Sequence, residues 1–220
     1  MAGTVVMNDR ERFQAAMHYQ DRDRSPICDF GYWPETLVVW HSQGLPEEIS
    51  EDGERYFHEF FGTDFPIRRA SSLTGIDVGL VPSFQEEVLE NRGDHEVVQQ
   101  EDGVRVLRKK FMGSIPKPLS HLLVDRNSWR KHYKRRLDPT HPDRYPEDWE
   151  VRVKSWMDPQ RDHPLILPGG SLYGWLRNWM GLEKLSYVVY DDPALFEEMV
   201  TDVADCITGD GSPGIGQSGS

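Results

Sequence analysis

The chain has 220 residues, and 37 Asp and Glu stand against 25 Lys and Arg, for a net charge of −12. That length supports one sizeable core, and the acidic balance repels phosphate backbones and argues against nucleic acid as a partner. Cys28 and Cys206 are too few and too far apart for a disulfide framework, and no apolar run reaches the roughly 18 residues of a membrane span. The opening MAGTVVMNDRERF lacks the apolar stretch of a signal peptide, so a cytoplasmic location is expected.

Asn8 predicts the cap of a first helix, with Phe13, Ala16 and Met17 on one face. Residues 25–31, SPICDFG, read as a strand. Pro34 then opens a helix carrying Leu37, Val38 and Trp40, which Gly44 can end. Residues 52–61 read as a short aromatic-rich helix and 63–70 as a second strand. Residues 86–111 alternate in the strand period and break at Arg92-Gly93 and Asp102-Gly103. Asp-Gly between alternating apolar positions signals a hairpin, so an antiparallel meander is expected over about 84–120. Two polar helices follow, 125–137 with Asp125 as cap and 146–157, joined by the turn-rich LDPTHPDRYP. The basic run over 126–136 alternates with Trp129 and Tyr133 and reads as a solvated helix face.

Residues 165–193, LILPGGSLYGWLRNWMGLEKLSYVVYDDP, are the most informative stretch. A short apolar run, Leu165–Leu167, meets a Pro-Gly-Gly turn. A helix with Trp175, Leu176, Trp179 and Met180 follows, then a second over 182–190 that stops at Asp-Asp-Pro. Strand, glycine turn and helix make a βα unit. A last helix covers 193–207, and the tail GDGSPGIGQSGS has the composition of a flexible, non-native-looking linker.

These elements predict an α/β chain: a partial (β/α)8-type barrel with an inserted antiparallel β meander. Strands are expected at 25–31, 63–70 and 164–168. A complete barrel takes eight strands in roughly 250 residues. Residues 1–208 are therefore expected to be the N-terminal part of a longer barrel, with 209–220 as tail. Unpaired strand edges in such a piece predict self-association.

In barrels of this kind the active site lies at the C-terminal ends of the strands. Asp29 follows Ile27 and Cys28 at that expected rim. Its carboxylate could bind a cation or move a proton, or simply accept from loop backbone. Tyr32 and Trp33 could wall a flat ligand or pack. Gly169 and Gly170 lack a Cβ and would let a ligand approach the backbone. The eight histidines are scattered, with no His-x-Cys, HExxH, CxxC or phosphate-loop motif, so no metal site is expected within the chain.

Gly181-Leu182-Glu183 through Tyr190-Asp191-Asp192-Pro193 carries a GxExxxxxxxDDP pattern. Asn8-Asp9-Arg10-Glu11-Arg12-Phe13 followed by Asp23-Arg24-Ser25-Pro26-Ile27 fits RERF…DRxP. In this order the motifs resemble the uroporphyrinogen decarboxylase superfamily, over about 8–207. The resemblance implies a (β/α)8 barrel and either porphyrinogen decarboxylation or corrinoid-linked methyl transfer. The decarboxylases carry arginines after the first strand that grip the substrate's carboxylates. Here Asp29-Phe30-Gly31-Tyr32 stand there, and the reversed charge favours methyl transfer or related chemistry. Where the family's helix offers a tyrosine to substrate, alignment sets Arg177, with Tyr173 one turn earlier. An arginine there could clamp a carboxylate or phosphate, or form a surface ion pair. Zinc-dependent members take their ligands from the C-terminal half of the barrel. Zinc or a corrinoid would thus belong to a full-length homologue, and no cofactor is expected within this chain. The partner implied is a small-molecule or corrinoid-linked substrate. Uroporphyrinogen decarboxylase activity proper, and a non-catalytic fragment or binding module, are the alternatives.

Overall fold

A computed structural model describes residues 6–28, 32–50, 60–64, 74–111, 113 and 115–209. In chain order the elements are α1 (Asp9–Met17), α2 (Pro34–Ser42), β1 (Glu87–Arg92), β2 (His95–Gln99), β3 (Arg105–Lys109) and β4 (Lys117–Ser120). Then come α3 (126–136), α4 (Trp149–Trp156), α5 (Gly174–Met180), α6 (Leu182–Asp191) and α7 (Pro193–Thr208). This is a mixed helix-and-sheet chain whose described sheet is antiparallel, with strand order β1-β2-β3-β4. The chain divides into two compact units, Met1–Ile76 with Pro146–Leu167 and Asp77–Tyr145 with Pro168–Ser220. No helix among the described residues is long and apolar enough to cross a membrane.

In the first unit, Asn8 starts α1 with a reciprocal capping box. Its side chain accepts the Glu11 N–H at 2.9 Å, and the Glu11 carboxylate accepts the Asn8 N–H at 3.0 Å. The inward face is not the expected one. Arg12 and Ala15 are buried, Phe13 and Ala16 are half-buried, and Met17 is exposed. Arg12 turns inward because carboxylates wait there. Its fork meets Asp23 at 2.9 and 2.8 Å and Asp64 at 2.9 Å. A buried guanidinium is tolerated only when paired in this way. In α2, Leu37 packs against Ile49, with Tyr32, Trp40 and Leu45 around them.

The first two expected barrel strands lie only partly within the described residues. Residues 25–28 and 63–64 are irregular, and 29–31 and 65–70 lie outside the described residues, as does most of the expected helix at 52–61. The two segments still meet: Asp64 N–H donates to Ile27 C=O at 2.7 Å, and Ile27 N–H donates to the Asp64 carboxylate at 2.7 Å. Residues 164–168 are irregular too, which corrects the expected third strand. Pro164 and Pro168 bracket the apolar run and remove two of the backbone donors a ladder needs.

In the second unit the meander forms where the alternation places it. Arg92 pairs with His95 across the first turn, and Gln99 with Arg105 across the second. Val98, Val104 and Val106 bury one face. The segment 126–136 is a helix of changing pitch: an α turn Arg126–Ser128, a π stretch Trp129–Tyr133 and a 3-10 turn Lys134–Arg136. Asp125 caps it through Ser128. Trp129 and Tyr133 are fully buried and stack at 6.0 Å in the main core, with Leu176, Leu185, Met199 and Val203. Each such side chain contributes about 1.5–3 kcal/mol by leaving water.

The basic run is a solvent-exposed face, with 59% of the Arg130 side chain and 46% of the Lys134 side chain accessible, and it also finds partners. Arg126, Arg130 and Lys134 recur at helical spacing and meet α7, where Glu198 accepts from Arg126 at 2.6 Å and from Arg130 at 3.0 Å. Asp202 accepts from Lys134 at 2.8 Å. Arg144 is buried without a carboxylate. It donates instead to the carbonyls of Asp138, Asp77, Gly79 and Arg136 at 2.6–2.9 Å.

Candidate functional site

The glycine turn and the helix after it lie in the second unit. Gly170 has φ +58°, and an added Cβ would stand 2.5 Å from the Trp175 ring and 2.8 Å from Ile207. The room left by the missing side chain is therefore filled by Trp175, while Gly169 faces open space. Ser171 Oγ accepts the Gly174 N–H at 2.9 Å and so starts α5. Tyr173 precedes the helix and is exposed, and its carbonyl accepts the Arg177 N–H at 2.8 Å. Tyr173 and Arg177 are thus stacked one turn apart. Arg177 is exposed and donates to Asn178 Oδ1 at 3.1 Å.

Asp29 lies outside the described residues. Tyr32 belongs to the first unit, 5.1 Å from the Trp40 ring and 6.3 Å from that of Phe61. The structure brings Gly170, Tyr173 and Arg177 together along one turn and helix.

Beside that helix is a groove of about 340 Å³ lined by Asp77, Ser83, Glu101, Asp102, Trp175 and Asn178, among others. Asn178 ties Arg177 to its wall. Asp102 sits on the β2–β3 turn, where the Tyr133 hydroxyl donates to its carbonyl at 3.0 Å and fixes the loop on the core. Its carboxylate accepts the Val104 N–H at 2.9 Å. Burial pushes the Asp102 carboxyl above the usual aspartate value, against the pull of that hydrogen bond and of His121. A cleft is where a carboxyl shifted by burial can serve in proton transfer. The other carboxylates and Asn178 can accept from or orient hydroxyl and amine groups. Among the described residues, no three His, Cys, Asp or Glu side chains gather as a metal-ligand set.

In the sequence Asp102 reads only as part of a hairpin turn, because nothing local reports that the fold sets Tyr133 and the main core against it. Asn178 carries no motif of its own in the sequence. At the motif's joint, Gly181 adopts φ +86°, and a Cβ there would stand 2.8 Å from the His121 ring. Asp192 caps α7 by accepting the Leu195 N–H at 3.1 Å and also holds Arg126 at 2.7 Å. No protein-family model matches this chain, and no curated protein or solved structure matches it either.

Proposed function

We propose that the chain is part of an enzyme of the uroporphyrinogen decarboxylase superfamily type, a partial (β/α)8 barrel acting in methyl transfer or related chemistry on a small or corrinoid-linked substrate. One observation carries this reading. Arg12, from the RERF motif, forms a two-pronged ion pair with Asp23, from the DRxP motif, at 2.9 and 2.8 Å. The two N-terminal halves of the pattern are thus mutual partners, and their spacing answers a physical need. Gly181 and Asp192, at the two ends of the second pattern, likewise occupy joints that need their residue types. The contact between Ile27 and Asp64 supports neighbouring first and second barrel segments.

Decarboxylation of a polycarboxylated tetrapyrrole needs cations at the substrate's carboxylates. Asp29-Phe30-Gly31-Tyr32 supplies none, and among the described residues the groove beside α5 is lined by carboxylates with no Lys or Arg in its walls. Such a groove suits a substrate rich in hydroxyl or amine donors. In it Asp102 would be the proton-transfer group and Asn178 an orienting one.

The test is direct. The chain is incubated with a methyl-corrinoid and a small thiol, following loss of the methyl-corrinoid absorbance, and in parallel with uroporphyrinogen, following carbon dioxide release. Methyl transfer above the thiol-only background, without carbon dioxide release, is the expected result. Carbon dioxide release alone would establish the decarboxylase instead. Neither activity would leave the chain as a non-catalytic or binding piece.

A further inference from the structure

The first unit has its own groove, of about 500 Å³, between α4 and the chain at 158–165. On one side α4 offers Val151 and the half-exposed indole of Trp156; on the other stand Asp158, Arg161, His163 and Leu165. Arg10 pins this loop by donating to the carbonyls of Asp158, Pro159 and Arg161 at 3.1–3.3 Å.

Arg161 is held in the wall as a fixed fork. Its Nε donates to His163 C=O at 2.9 Å and its Nη1 to Trp156 C=O at 2.7 Å. Both partners are neutral carbonyls. Its Nη2 makes no hydrogen bond among the described residues. Partial burial and the neighbouring Arg10 push the guanidinium below its ordinary value, more than Asp158 pulls it up. His163 is half-committed as well: Nδ1 meets Asp162 at 2.9 Å, and Nε2 makes no hydrogen bond among the described residues. The other cation of the groove, Arg152, already has Asp148 at 2.6 Å. The groove thus joins an apolar wall to a pre-oriented cation without a carboxylate bound to it. Arginine forks recognise carboxylates and phosphates in this way. Asp148 and Asp158 also line the groove, and they penalise a doubly charged phosphate more than a single carboxylate.

We propose that this groove binds a small monocarboxylate, with its carboxylate on Arg161 Nη2 and its apolar or planar body against Trp156. The proposal is independent of the catalytic reading above, since it rests on residues of the first unit alone.

The probe is benzoate, titrated into the full chain by calorimetry and by proton–nitrogen NMR of the tryptophan indoles, with inorganic phosphate as comparison. Trp156→Phe assigns the Trp156 indole signal. Saturable one-site binding that moves this signal is expected, with phosphate weaker by about tenfold or more. Arg161→Gln should weaken benzoate about tenfold, the scale of one charged hydrogen bond. Because Arg161 also braces the loop, a second variant, Val151→Asp, places a negative charge on the opposite wall at an exposed position. It too should weaken benzoate about tenfold while leaving Arg161 in place. If benzoate does not saturate, if Val151→Asp binds it as well as the natural chain does, or if phosphate binds as tightly, the proposal is overturned.

Discussion

Gly170 shows how a single residue can be needed for a reason other than the one its motif suggests. A glycine turn ahead of a helix invites a ligand, yet here the Trp175 ring and Ile207 take the space. Gly170→Ala would combine a positive φ with a contact of 2.5 Å to a large, core-packed ring. Its cost should be about 2–3 kcal/mol, read as a lower urea midpoint, whereas Gly169→Ala, which meets nothing within 4 Å, should differ little from the natural chain. Equal effects at the two positions would contradict this account. Arg12 and Arg144 make the complementary point. Both are charged and buried, and each is tolerated because every direction of its fork finds an acceptor, carboxylates for Arg12 and carbonyls for Arg144.

The pairing of α3 with α7 is an element-scale device. Arg126, Arg130 and Lys134 lie along one stripe, and Glu198 receives all three, Lys134 at 3.6 Å. Opposite them Trp129 and Tyr133 fill the core, and the Trp129 indole N–H donates to Asp202 at 3.0 Å. Hydrogen bonding from Arg130 holds the Glu198 carboxyl below the ordinary glutamate value, with Arg130, Lys134 and Arg126 adding attraction. A folded pKa below the unfolded one means stability that is complete above the unfolded value of about 4.3 and lost as pH falls through the folded value. Glu198→Gln should therefore be less stable than the natural chain at pH 7. The gap should close as the pH drops below about 4, in thermal melts across that range. A gap that stays constant with pH would show that the charge is not what matters.

At the scale of the whole molecule, the meander ends in two outer strands, β1 and β4, whose residues are all exposed. Val88 and Leu119 sit on them, each 45% exposed. Open edges with apolar side chains pair with other edges unless charge prevents it. Sedimentation velocity over a range of concentrations should show reversible association, and Val88→Lys with Leu119→Lys should weaken it. A single species at all concentrations, unchanged in the double variant, would rule this route out.

What the sequence determined by itself is local. Caps at Asn8 and Asp125, the Pro34 and Pro193 helix starts, the two hairpin turns and the α5–α6 pair all follow from residues within a few positions of one another, because capping, turn geometry and side-chain period are short-range effects. The long-range arrangement was decided only in three dimensions. The expected strand at 164–168 is irregular, since a strand exists only where a partner accepts its ladder and its two prolines donate nothing. Arg12 replaced Met17 as the inward residue because Asp23 and Asp64, 11 and 52 positions away, come to meet it. The basic run became a partnered face because α7 brings Glu198 and Asp202 alongside. Asp102 gained its shifted carboxyl from burial that no neighbour in the chain announces. In each case the deciding term is an interaction between residues far apart in sequence, and the energy of burying or pairing a group depends on a partner that the local pattern does not contain.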